Sequence, residues 1–115
     1  MAIEKHHTSP RMSQLVIHGD TVYLAGQVAN DQEADITTQT EQVLEKIDEY
    51  LAEAGTDKSK ILSAQVWLSN MAYFDKMNHV WEAWMPAGFA PARACIEARL
   101  ALPGLLVEIG IVAAR

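Results

Sequence analysis

Pro91-Ala92-Arg93-Ala94-Cys95-Ile96-Glu97-Ala98-Arg99-Leu100, followed by Leu106-Val107-Glu108-Ile109, reads as two strands near the end of the chain. Successive side chains of a strand point to opposite faces, so Arg93, Cys95, Glu97 and Arg99 share one side and Ala94, Ile96, Ala98 and Leu100 the other. The apolar set is expected to face a core. The polar set has no such explanation, because two arginines, a thiol and a carboxylate in one row are a poor fit to a core and point to a task outside it.

Working outward, Pro103-Gly104 is a turn-forming pair between strands expected over Ala92–Leu100 and Leu105–Ala113. Upstream, Phe74, Met77, Trp81 and Trp84 recur at spacings of three and four, predicting a helix over Tyr73–Met85, with Asn70 as a cap and Pro86 and Gly88 as its stop. Ile61–Asn70 reads as a strand with Leu62, Ala64, Val66 and Leu68 on one face and Trp67 on the other. Before it, Thr40, Val43, Leu44, Ile47, Leu51 and Ala54 mark an amphipathic helix over Ile36–Ala54, with Gly55 as its stop. Gln14–His18 and Thr21–Ala25 flank Gly19-Asp20, a two-residue hairpin turn, after a short polar lead.

The predicted order is therefore ββαβαββ in a single α+β domain spanning residues 1–115. Strand–helix–strand crossovers are right-handed, so both helices are expected on one sheet face. The other face is left open, and Trp67, the Arg93/Cys95 row and Glu108 are expected there. That mixture is too apolar for bare water and too polar for a monomer core, which points to an oligomer with clefts between its copies.

Composition sets bounds on function. At 115 residues and 12.7 kDa the chain suits one domain with a modest core. No apolar run approaches the roughly 18 residues that a bilayer span needs. The N-terminal residues lack a signal-peptide core, so the cytoplasm is the expected location. The formal charge of −6 repels a phosphate backbone, and no nucleic-acid partner is expected. A single cysteine leaves no intramolecular disulfide and too few sulfur ligands for a structural zinc site. His6, His7, His18 and His79 show no metal-ligand spacing, and no glycine loop suited to a phosphate is present, so neither metal nor cofactor is expected.

Among single residues, Arg93 offers paired donors that match a carboxylate, the alternative being an ion pair with Glu97 or Glu108. Cys95, two residues on, is either a buried small hydrophobe or a pocket residue, and no histidine nearby in sequence supports a nucleophilic role. Glu108 is a lone carboxylate in an apolar strand. It is either an ion-pair partner of Arg93 or Arg99, or a general base whose pKa is raised by its surroundings. Trp81 and Trp84 read as core; Trp67 and Phe89 are the aromatic pocket candidates, one facing the open side and the other preceding the Arg93 loop.

Pro91-Ala92-Arg93 with Cys95, and Val107-Glu108-Ile109 with its glutamate fifteen residues after the arginine, resemble the C-terminal signature of the RidA (YjgF-like) family of reactive-intermediate deaminases. Thr21-Val22-Tyr23-Leu24-Ala25-Gly26-Gln27 is similar to that family's second strand, and Phe74, Asn78, Trp81 and Trp84 fall in its second-helix pattern. The resemblance implies a chorismate-mutase-like, ferredoxin-like homotrimer with three inter-subunit sites. It further implies hydrolysis of 2-imino or enamine acids to 2-keto acids and ammonia without a cofactor. By the same resemblance Arg93 holds the substrate carboxylate with help from the Gly26 backbone amide, Cys95 lines the pocket, and Glu108 manages water and protons. At the position of a pocket tyrosine in the family's first strand this chain has Met12. That difference supports a second reading, a non-catalytic ligand-binding or protein-interaction module. A third, ribonuclease or translation inhibitor, is known from descriptions of the family and is opposed by the charge.

Overall fold

A computed structural model describes residues 1–115. Its strands are β1 (Ile3–Thr8), β2 (Ser13–His18), β3 (Thr21–Val28), β4 (Ile61–Leu68), β5 (Ala92–Glu97) and β6 (Val107–Ala114), and its helices are α1 (Ile36–Glu53) and α2 (Phe74–Trp84). The six strands form one sheet in the order β1-β2-β3-β6-β4-β5, antiparallel throughout except for the parallel β4–β5 pair. Both helices pack on one face of the sheet, and the smallest dimension, 20 Å, leaves room for only these two layers. No helix is long and apolar enough to cross a membrane.

The order departs from the ββαβαββ expectation by one strand. The polar lead is β1, paired antiparallel with β2 from Ile3↔His18 to Thr8↔Ser13. Every residue of β1 but His6 is exposed, so it carries no alternation by which a half-buried strand is read. Side chains hold it down instead. His6 Nδ1 lies 3.0 Å from one Glu53 oxygen and His7 Nε2 lies 2.8 Å from the other, fastening β1 to the end of α1. The His7 hydrogen bond is the main reason the Glu53 carboxyl titrates below its usual range, so its contribution to stability is present above the unfolded-state pKa and lost as pH falls through the depressed folded value. Glu53→Ala is expected to speed amide exchange in residues 3–8 at neutral pH and leave β3 and β6 protected, measured by hydrogen–deuterium exchange. Equal exchange in parent and variant would show that the two histidines do not anchor the strand.

Local chemistry accounts for the other elements. The β2–β3 hairpin turns at Gly19, whose φ of +62° suits a glycine. Asp35 caps α1 by accepting from Thr38 N, and Gly55, at φ +79°, follows the α1 C-cap. The apolar stripe of α1 (Val43, Leu44, Ile47, Leu51) meets Ala64, Val66, Leu68, Ile109 and Ile111 in one core with Met77 and Trp81 of α2. Leu62 was expected among the buried residues of β4 but is exposed. The register slips between Ile61 and Ser63, so Ile61 takes the inward place.

Gln39 is fully buried on α1 and stitches two loops to it. Its Nε2 donates to Ala34 O and Gly104 O, and its Oε1 accepts from Leu106 N. A Cβ at Gly104 would lie 2.6 Å from Gln32 O, so glycine is needed for the approach. This stitching holds Leu106, two residues before Glu108, and so fixes where β6 begins.

Candidate functional site

The alternation expected in β5 is present, but the faces are reversed. β5 runs parallel to β4 with Arg93 opposite Ala64 and Cys95 opposite Val66, both of which are buried toward the helices. Arg93 and Cys95 therefore lie on the helix side, and Ala94 and Ile96 on the open side, where Ile96 is 55% exposed. An edge strand explains the inversion. β5 lies at the margin of the helix layer, where the arginine can cover α2 with its stem and keep its head in solvent.

Neither Glu97 nor Glu108 pairs with Arg93. Its Nη2 donates to Asn78 Oδ1 at 2.7 Å, its Nη1 lies 4.0 Å from Met77 Sδ, and its guanidinium carbon stands 5.1 Å from the centre of the Trp81 ring. Asn78 and Trp81 lie three residues apart on α2 and so share a face. The hydrogen bond and the cation–π contact fix the plane of the guanidinium and leave other donors free. A shallow cavity of about 280 Å³ opens beside it, lined by Asn78, Trp81, Glu82, Ala90, Pro91 and Arg93. Trp81 is thus core, as expected, and also the platform under the arginine. Asn78 has no signal in the apolar periodicity of α2; it stood out only through the resemblance to the family's second-helix pattern, with no role assigned to it.

Cys95 packs at the margin of the core, and burial raises its thiol pKa, partly offset by the charge of Arg93. It is correspondingly a poor nucleophile. Glu97 turns to the α2 end, where its Oε1 accepts from Met71 N at 2.9 Å. Phe89 is 54% exposed in the turn after α2, and Met12 is 43% exposed in the turn between β1 and β2, beside Lys5 and Arg11.

Glu108 lies on the other face of the sheet. It is opposite Trp67 of β4 and Val28 of β3, with Ile96 next in the same row. Beside it β3 carries a bulge, for Leu24 pairs with Ile111 and Gln27 with Ile109, so that Ala25 and Gly26 together face Gly110. The Glu108 carboxyl lies over Gly26 so closely that a Cβ there would run into Oε2. The Trp67 ring similarly covers Gly110, 3.4 Å from where a Cβ would be. The two glycines thus form a trough that seats a carboxyl and an indole. Partial burial there, with no cation paired to it, raises the Glu108 pKa above the ordinary carboxylate range.

The candidate residues therefore fall into two groups on opposite faces of one sheet: Arg93 and Cys95 at the β5 edge, and Glu108 with Gly26 on the uncovered face. The expectation that the Arg93/Cys95 row shares the open face with Trp67 and Glu108 is corrected by the β4–β5 register.

The family model described as Endoribonuclease L-PSP matches residues 4–115. The chain belongs to this family, which includes the YjgF and RidA proteins. A RutC family protein from Haemophilus ducreyi is 51% identical over 104 residues, covering 90% of this chain and 89% of the relative. The RutC family protein YoaB of Escherichia coli K12 is 41% identical over 114 residues, 99% of each chain. The crystal structure of a YjgF-family protein from Neisseria meningitidis superposes with a TM-score of 0.96 at 44% identity, covering 100% of this chain and 96% of the other. The fold and the family expected from the final strands are thereby established.

Proposed function

We propose that this chain is a cytoplasmic, cofactor-free hydrolase that converts reactive 2-imino or enamine acids into 2-keto acids and ammonia, at clefts between the copies of a homotrimer. The observation that carries this reading is the split site. Arg93, with spare donors, stands on a free sheet edge, and Glu108 stands unpaired on a face whose Tyr23 and Ile96 are 46% and 55% exposed. Covering that face with the β5 edge of a neighbouring copy buries the apolar surface and brings the two halves together.

The chemistry asks little of such a cleft. Arg93 grips the substrate carboxylate through paired N–H donors, and Gly26 lends a backbone amide. Water held by Glu108 adds to the electrophilic imine carbon. The carboxylate accepts a proton from that water and delivers it to the imine nitrogen, giving a carbinolamine; the remaining hydroxyl proton then passes by way of the same carboxylate to nitrogen as the carbon–nitrogen bond breaks, leaving the keto acid, ammonia and an ionised Glu108. The imine needs no further activation, so no metal or organic cofactor has a step to perform.

Two measurements test this. Light scattering is expected to give about 38 kDa, three copies of a 12.7 kDa chain. Freshly generated 2-iminopropanoate is expected to release ammonia faster with the protein than without it. A clean monomer would remove the inter-subunit cleft, and an uncatalysed rate would remove the reaction. A trimer that binds keto acids but releases no ammonia would favour the second reading, a binding or interaction module, for which the supporting observation is an exposed thioether, Met12, in place of a pocket hydroxyl. The family's ribonuclease description is opposed by the net charge of −6, which disfavours a polyanion.

A further inference from the structure

Gln27 is 4% exposed, one of only three buried polar residues in the chain. Its backbone closes the β3 bulge, since it is the residue at which pairing with β6 resumes. Its side chain turns back on that bulge. Nε2 donates to Ala25 O at 3.0 Å, within the bulge itself, and to Gln14 Oε1 of β2 at 2.9 Å. Both amide protons are thereby used, and one of them takes up the carbonyl of a bulged residue, which a regular strand would have satisfied in its ladder.

We propose that Gln27, with Gln14 as its anchor, is a positioning residue that locks the Ala25–Gly26 bulge and so holds Gly26 and the Glu108 carboxyl in their mutual seat. Bulges re-aim the residues beside a site, and this one faces Gly26 toward the Glu108 side chain with no Cβ between them. A leucine at residue 27 would suit the burial equally well, so the hydrophobic core alone does not call for glutamine. The amide is explained by the two acceptors it satisfies. The catalytic part of this inference rests on the hydrolase reading above, in which Glu108 handles the proton; the structural part does not.

The test is read at Glu108 without substrate. In parent protein labelled with ¹³C at glutamate side chains, the Glu108 carboxyl is expected to titrate above the ordinary range and to show a close contact with Gly26. In Gln27→Leu the bulge is released, the contact weakens, and the titration midpoint moves down toward the ordinary range as water reaches the carboxylate. Gln14→Leu removes one of the two acceptors and is expected to shift the midpoint in the same direction by less; it decides the matter if Gln27→Leu does not assemble. Ammonia release from 2-iminopropanoate is expected to fall about tenfold in kcat for Gln27→Leu, because a modest misplacement of a reacting group has costs of this order or more. An assembled variant with an unchanged Glu108 titration and an unchanged Gly26 contact overturns the proposal. If the parent itself releases no ammonia, the hydrolase reading fails, and the titration still decides whether Gln27 holds the seat.

Discussion

Replacing Arg93 by alanine is expected to lower kcat/KM for 2-iminopropanoate by roughly 30-fold to several thousand-fold. Truncating one partner of a buried, hydrogen-bonded charge pair costs about 2 to 5 kcal/mol, and each 1.4 kcal/mol or so is a factor of ten. The loss is expected mainly in KM, since the guanidinium binds the carboxylate in ground and transition states alike. Arg93→Lys should recover only part of it, because an ammonium keeps the charge but neither the paired donors nor the flat contact with Trp81. Asn78→Ala separates holding from gripping. It leaves the charge in place but frees the guanidinium plane that the 2.7 Å hydrogen bond fixes, so its effect should fall between those of parent and Arg93→Ala. Arg93→Ala is expected to assemble, since its side chain is the partner only of the half-buried Asn78 amide and, weakly, of the Met77 thioether, neither of which needs it to stay packed. An assembled Arg93→Ala that hydrolyses the imine at the parent rate would remove the arginine from the site.

The same residue marks where reading the sequence stops. The period of β5 was legible, and so was the oddity of Arg93 in its polar row and of Glu108 in an otherwise apolar strand, while Cys95, for which a buried place was one of two readings, packs at the margin of the core. Which face of the sheet each took was not. Alternation fixes only that neighbours differ, and the side is chosen by the register against β4, a parallel pairing that local sequence does not encode. Ala94 and Ile96 looked like the inward set on hydrophobicity, yet on an edge strand at the margin of the helix layer that logic is inverted. β1 escaped notice for a related reason. With both of its faces exposed it has no pattern, and its anchor, Glu53, lies forty-six residues away from His7. The helices, by contrast, announce themselves through Val43, Leu44, Ile47 and Leu51, and through Met77 and Trp81, because each buries one stripe against a sheet; Asn70, expected as the cap of α2, instead accepts from Ala72 N in the short turn that precedes it. The Gly26–Glu108 seat stands between these cases. Glu108 stood out in its strand, but the bulge that makes room for it shows only once β3 and β6 are paired.

Glu108→Gln is expected to lower kcat by about 100- to 10,000-fold, the range that general acid–base groups supply, with KM for the imine nearly unchanged because Arg93 is untouched. The pH profile gives the sharper reading. Burial raises the Glu108 pKa, so the ionised, proton-accepting form appears only above the ordinary glutamate range, and kcat should rise with pH through that raised value and flatten above it. Glu108→Gln should abolish this limb. The same shift acts on stability with a defined sign. The folded state holds its proton to higher pH than the unfolded chain does, so stability falls as pH rises from the unfolded to the raised folded value, and the variant should lose that slope. Gly26→Ala tests the geometry without removing any polar group. The new methyl meets the end of a flexible carboxylate side chain, which can swing away at little cost to the fold, but swinging away takes the carboxyl out of its seat. Assembly should survive, kcat should fall by up to about 100-fold as expected for a displaced reacting group, and the pH limb should move toward the ordinary glutamate value. A Gly26→Ala trimer with parent turnover and an unmoved limb would mean that the contact between Gly26 and Glu108 has no part in the chemistry.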